Sequence, residues 1–120
     1  MTREELISRT QQFALRIIHL SEKLMEKGGA ARVLAHQLLR SGTSIGANYR
    51  AACIAKSAND FLNKLKICEE EADETVYWLE LLANSGLVRK ELLLDLSDEA
   101  RQLTAIITAS IKTKRQNIVE

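Results

Sequence analysis

Apolar side chains recur at steps of three and four residues through four consecutive segments of this chain, and no proline interrupts any of them. A period near 3.6 residues is that of one face of an α-helix. Proline is the strongest helix breaker, and the five glycines leave few positions that favour tight turns. The pattern therefore predicts an all-α fold.

Capping and stop signals divide the pattern into four helices of a single domain over residues 1–120. Thr2 with Glu5 has the spacing of a capping box, and Ser57 with Asp60 forms a second capping pair. The pair Gly28-Gly29 stands where the first helix should end, and Asn84-Ser85-Gly86 stands where the third should end. The predicted helices cover about residues 3–27, 31–56, 58–84 and 89–115.

Short connections between helices that each carry one apolar seam favour antiparallel packing of sequential neighbours. We therefore expect an up-down-up-down four-helix bundle. Gly42 and Gly46 lie four residues apart on the second helix, where they would let a neighbouring helix approach closely. The alternative is that each merely weakens the helix, by about 1 kcal/mol relative to alanine.

Asn48 falls on the seam predicted for the second helix. A buried amide must find hydrogen-bond partners, which a glutamate or Tyr77 could supply. Such a group more often fixes the register of packed helices than performs chemistry. We interpret Asn48 as a buried structural side chain.

The composition is that of an ordinary globular protein, with 28% charged residues and a net charge of +1. The first residues lack the apolar run of a signal peptide, and no stretch approaches the roughly 18 apolar residues of a membrane span. Cys53 and Cys68 are interpreted as small buried side chains rather than a disulfide. A cytoplasmic protein without membrane contact is expected.

Acidic residues crowd the third helix, which invites comparison with di-iron bundles. Those proteins carry Glu-x-x-His pairs, whereas His19 and His36 follow Arg16 and Val33 at that spacing. The chain also lacks a nucleophile elbow and a phosphate-binding glycine loop. We expect no metal, no cofactor and no enzymatic activity.

The third helix has a second apolar face on a different side from its core seam. This second face carries the only tryptophan of the chain. Exposed aromatic patches are typical of interfaces, so this face favours homo-oligomerisation. The alternative is a wider contact with the core of a monomer. The interface candidates are Ile67, Glu71, Glu74, Tyr77, Trp78 and Leu81.

Charge is divided unevenly between the helices. Residues 30–56 contain four cations and no acid, a net charge of +4, whereas residues 57–85 contain two lysines and seven acids, a net charge of −5. The basic rows could track the phosphates of nucleic acid. Alternatively, the basic second helix pairs with the acidic third helix of the same subunit or the next. The nucleic-acid candidates are Arg9, Arg16, Lys23, Arg32, Arg40 and Arg50.

Three stretches of the chain are distinctive: QLLRSGTSIGANYRAA (residues 37–52), DFLNKLKI (60–67) and EADETVYWLELL (71–82). Through them the chain resembles a bacterial family of four-helix bundles named for proteins encoded in intervening sequences of 23S ribosomal RNA genes, and the resemblance extends from about Phe13 to Ile107. It implies a short up-down bundle that assembles into a ring of five. A related branch, the accessory protein of diversity-generating retroelements, implies an RNA or DNA partner. The matching signature residues, interpreted as structural rather than catalytic, are Arg40, Ser44, Asn48, Glu71, Glu74 and Trp78.

Together these features predict a non-enzymatic homo-oligomer that binds nucleic acid through basic helix faces. The alternative is a scaffold that recruits another protein and has no nucleic-acid role.

Overall fold

The computed structural model describes residues 1–119, which fold into four helices. These are α1 (Arg3–Lys27), α2 (Gly29–Cys53), α3 (Ala58–Asn84) and α4 (Lys90–Val119). No strand occurs within this described part of the chain. The molecule measures 51 × 21 × 21 Å, as expected for helices that lie side by side along one axis. The all-α prediction is confirmed.

The helices pack in chain order, α1 on α2, α2 on α3 and α3 on α4, while α1 also meets α4 along part of its length. Neighbours are antiparallel. Between α2 and α3, Arg40 contacts Glu71 and Ile45 contacts Cys68, so the pairing runs in opposite directions along the two helices. The arrangement is the up-down-up-down bundle that the sequence predicts.

The predicted capping signals form as expected. Thr2 accepts a hydrogen bond from the backbone N–H of Glu5, whose carboxylate accepts one in return from the Thr2 backbone, which completes a capping box. Ser57 caps α3 by accepting from the N–H of Asp60 at 3.0 Å. Side-chain capping thus fixes where α1 and α3 begin.

The predicted bounds of α2 and α4 require correction. α2 begins at Gly29 and ends at Cys53, not at residues 31 and 56, because the N–H groups of Ile54 and Ala55 bond three residues back, which tightens and closes the last turn. α4 starts at Lys90 and continues past the predicted end at residue 115. Up to Lys114 the helix is held against the bundle, since Ile111 is buried and the Lys114 ammonium stands 5.4 Å from the Phe61 ring.

The two glycines of α2 lie directly against α1, as the close-approach interpretation predicts. A Cβ added at Gly42 would stand 2.8 Å from both Cγ1 and Cγ2 of Ile17, and one added at Gly46 would stand 3.1 Å from the Thr10 hydroxyl. Ile17 and Thr10 are both fully buried. The absence of side chains at these two positions therefore allows α1 to pack closely on α2.

The seam of α2 passes through Tyr49 rather than Asn48. Tyr49 is only 6% exposed, because it follows Ile45 by four residues and precedes Ala52 by three, so all three share the buried face. Asn48 is half-buried, and its amide donates to the Ser44 carbonyl at 2.8 Å within α2. The interpretation of Asn48 as a buried group is therefore corrected.

Gly42→Ala should lower the free energy of unfolding by about 1–3 kcal/mol, because the new methyl group overpacks the contact with Ile17. Gly46→Ala should change it little, since its approach to Thr10 is milder and alanine raises helix propensity by about 1 kcal/mol. Urea unfolding measures both values. The cost of Gly42→Ala should shrink in an Ile17→Ala background, and an equal cost in both backgrounds would contradict the close contact.

Candidate functional site

Arg40 bridges α2 to α3. Its guanidinium donates to the carboxylate of Glu71 at 3.1 Å and also to that of Glu74, one helical turn further along α3. The hydrogen bond with Glu74 is the main reason why the pKa of Arg40 is raised, since it outweighs the opposing effect of burial. Glu71 and Glu74 were predicted as interface residues, and Arg40 as a nucleic-acid contact. The structure pairs all three within one chain.

Arg9 bridges α1 to α4 with shorter hydrogen bonds to its carboxylate partner than Arg40 makes to Glu71. Its Nε and one terminal nitrogen each donate at 2.7 Å to the two carboxylate oxygens of Glu99, and the same terminal nitrogen reaches the amide oxygen of Gln102 at 2.6 Å. A bidentate ion pair of this kind fixes the orientation of both side chains. The hydrogen bond with Glu99 raises the pKa of Arg9. Arg9 is thus already paired with residues of α4 within the same chain.

A short polar layer lies buried between α2 and α3. The Thr75 hydroxyl lies 2.9 Å from that of Ser41 and donates to the Glu71 carbonyl, while the Cys68 thiol donates to the Ile45 carbonyl at 3.6 Å. Burial raises the pKa of the Cys68 thiol to about 12, so Cys68 is protonated at neutral pH. The thiol acts as a buried packing group with a weak hydrogen bond, not as a nucleophile.

The remaining interface candidates lie along the outer side of α3. Ile67 is 41% and Tyr77 is 53% exposed, whereas Trp78 and Leu81 are partly buried. The rings of Tyr77 and Trp78 meet edge to face at 5.1 Å. Within residues 1–119 the buried indole N–H of Trp78 has no hydrogen-bond partner. This set of four side chains is here called the α3 outer face.

The remaining nucleic-acid candidates are exposed and form no ion pair in the described part of the chain. They do not share one surface. Arg16 and Lys23 line a groove between α1 and α4, whereas Arg50 lines a cleft between α1 and α2 with Ile7 and Ala14. The chain therefore presents separate basic edges rather than the continuous basic patch that would follow a phosphate backbone.

The groove between α1 and α4 was not predicted from the sequence. Leu92 stands in its wall with 68% of its surface exposed, although it lies beside the buried Leu93 and Leu96. The available signal was a run of leucines at the start of α4 that is longer than one core stripe requires. We call this feature the α1/α4 groove.

Among residues 1–119, no three histidine, cysteine, aspartate or glutamate side chains are grouped so that they could hold a metal ion. Over the same range, no helix is both long enough and apolar enough to cross a membrane.

The family model described as 23S rRNA-intervening sequence protein matches residues 3–109. The chain belongs to this family. It is similar to a solved structure from Bacteroides thetaiotaomicron, described as a protein of unknown function from the S23 ribosomal protein family. The two share 37% identity with a TM-score of 0.85, over 93% of this chain and 99% of the other. Comparison with curated proteins gives no match. The resemblance inferred from the sequence is thus confirmed, together with the fold.

Stability should fall in alkaline solution because of two buried groups. The pKa of the Cys68 thiol is near 9 in the unfolded chain but about 12 in the folded one. Between these values the folded state binds more protons than the unfolded state, so the free energy of unfolding falls by up to ~1.4 kcal/mol per pH unit. Burial raises the pKa of Tyr49 from 10.0 to about 12, so Tyr49 lowers the free energy of unfolding in the same way at higher pH. Urea unfolding between pH 8 and 11 measures the slope. Cys68→Ala should flatten it near pH 9–10, and an unchanged slope in that variant would contradict the assignment.

Proposed function

We propose that this chain is a non-enzymatic subunit of a ring of identical copies, five by family resemblance, and that the ring acts as a scaffold. The observation that carries the proposal is the α3 outer face. Its four apolar side chains lie near one another on α3, with Ile67 and Tyr77 exposed and Trp78 and Leu81 partly buried. Exposed aromatic and aliphatic side chains in a cluster favour a partner surface over solvent.

The spacing of the α3 outer face also supports assembly. At about 100° per residue, Ile67, Tyr77 and Leu81 fall within a stripe of α3 that is roughly 80° wide and extends over about four turns, roughly 20 Å. The exposed acid Glu70 lies within this stripe and Asp73 beside it, and neither is paired within residues 1–119. In a ring, such a face contacts a different surface of the next copy. This head-to-tail contact, repeated with a constant rotation, closes the ring.

The engagement of four buried hydroxyl and thiol groups supports a non-enzymatic role. Thr10, Ser41 and Thr75 are buried and donate to backbone carbonyls inside their helices, and Cys68 is equally buried. A nucleophile has to reach a substrate and a base, which these side chains do not.

A second candidate function is nucleic-acid binding by the assembled ring. Arg16, Lys23, Arg32 and Arg50 are exposed cations, and ring symmetry would multiply each basic edge by the number of subunits. Arg9 and Arg40 are excluded from this set because acids of α4 and α3 already neutralise them.

Light scattering should give a mass near 68 kDa, five times the 13.5 kDa subunit. The double variant Ile67→Glu/Tyr77→Glu should reduce the mass towards one subunit while the helical circular dichroism remains, because both side chains are largely exposed. Leu15→Glu, which changes an exposed leucine of α1, is the matched control and should leave the mass unchanged. A wild-type mass of 13.5 kDa would contradict the proposal.

Gel shift of labelled RNA or DNA at low salt tests the second candidate. Arg32→Glu/Arg50→Glu should weaken binding and reduce the dependence of log affinity on log salt by about two phosphate contacts per site. Arg101→Glu is the control, because Arg101 already faces Glu80 at 3.7 Å. If neither nucleic acid shifts at low salt, the scaffold acts without one.

A further inference from the structure

The seam between α1 and α4 is closed at two points and open between them. Arg9 ties α1 to Glu99 and Gln102 of α4, and at the other end of α1 the Lys27 ammonium donates at 2.8 Å to the carbonyl of Leu87, in the connection that leads into α4. Between these bridges the two helices separate into the α1/α4 groove, with a volume of about 440 Å³. The groove is therefore part of how the two helices meet.

The floor of the groove is apolar. Leu24, Leu93 and Leu96 are core residues that form its base, and Leu20 stands at its edge. Leu92 rises from the α4 wall with most of its surface in solvent. Covering such a side chain is favourable because it removes apolar surface from water.

The rim of the groove is positively charged. Arg16 and Lys23 lie seven residues apart on α1, two helical turns or about 10.5 Å, with His19 between them. No acidic side chain lines the groove, and neither Arg16 nor Lys23 forms an ion pair among the described residues. The rim thus offers Arg16 and Lys23 two turns apart without acidic partners, and Lys27, bound to a backbone carbonyl, adds a third positive charge at the end of the groove.

An apolar floor with cations two turns apart fits one kind of occupant. An amphipathic helix places leucines at positions i, i+3 or i+4 and i+7 on one face and can carry acids seven residues apart beside them. Phosphates would use the rim but not the leucines, whereas such a helix uses both. The stretch from Arg16 to Lys27 spans about 16 Å, enough for three turns of a docked helix.

We propose that the α1/α4 groove binds an acidic amphipathic helix of another protein. The inference adds a partner to the proposed scaffold but uses a surface separate from the α3 outer face, so either can fail without the other. The rim cations steer the partner and select its charge, while the leucines, Leu92 above all, supply the buried contact.

The test uses fluorescence anisotropy with the full chain and a labelled helical peptide of about 14 residues, with leucines on one face and glutamates seven apart beside them. A second peptide has lysine in place of every glutamate. The acidic peptide should bind and the basic one should not. Arg16→Glu/Lys23→Glu should weaken the acidic peptide about tenfold and allow the basic peptide to bind.

Two further variants separate the contributions. Leu92→Ser should weaken the acidic peptide several-fold, because it removes apolar contact without changing charge. Arg32→Glu alters an exposed cation that lies outside the groove and should leave peptide binding unchanged.

Several results would overturn the proposal. Equal binding of both peptides, or of neither, would show that the groove does not select an acidic helix. If Arg16→Glu/Lys23→Glu lowers the mass of the chain alone, a second copy occupies the groove. If an RNA oligonucleotide displaces the peptide while Leu92→Ser has no effect, the rim binds phosphates instead.

Discussion

The close contact between α1 and α2 at Gly42 and Gly46 is the constraint on which the other surfaces of this bundle depend. It requires Thr10 and Ile17 to face α2, which fixes the rotation of α1 about its own axis. The row of Arg9, Arg16 and Lys23 must then point towards α4. Arg9 closes that seam with Glu99, and the two cations further along α1 border the groove that remains.

Helix α2 is held on its other side by polar contacts with α3. The buried hydroxyls of Ser41 and Thr75 and the half-exposed bridge from Arg40 occupy adjacent positions on the same interface. Their combined effect is to orient α3, so that Glu71 and Glu74 turn towards α2. The side chains of Ile67 and Tyr77 are left outside the buried core, with large parts of their surfaces exposed.

Local patterns in the sequence predicted the elements well. The capping residues Thr2 and Ser57 act through bonds three residues away, and the close approach at Gly42 follows from the missing side chain alone. The placement of Asn48 on the seam was wrong by one position, because steps of three and four drift around a helix of 3.6 residues per turn and only packing decides whether Tyr49 or its neighbour is buried.

The candidate sites were harder to predict because they depend on which helix a side chain faces. Periodicity places Arg9 and Arg40 on polar faces, but it does not show that acids of α4 and α3 stand within reach of their long side chains. The charge imbalance between α2 and α3 did indicate one such pairing, which the structure realises at Arg40. The α1/α4 groove arises from how far two helices separate, which no single segment of sequence encodes.

The bundle pairs Arg9 and Arg40 with its own acids, and the proposed assembly uses the α3 outer face. Hydrogen–deuterium exchange, compared between the wild-type chain and Ile67→Glu/Tyr77→Glu, tests this most directly. Loss of the contact between copies should give faster exchange in the variant around residues 67–81 of α3, with unchanged protection where α1 meets Gly42 and Gly46. Faster exchange throughout the bundle, or none in α3, would contradict it.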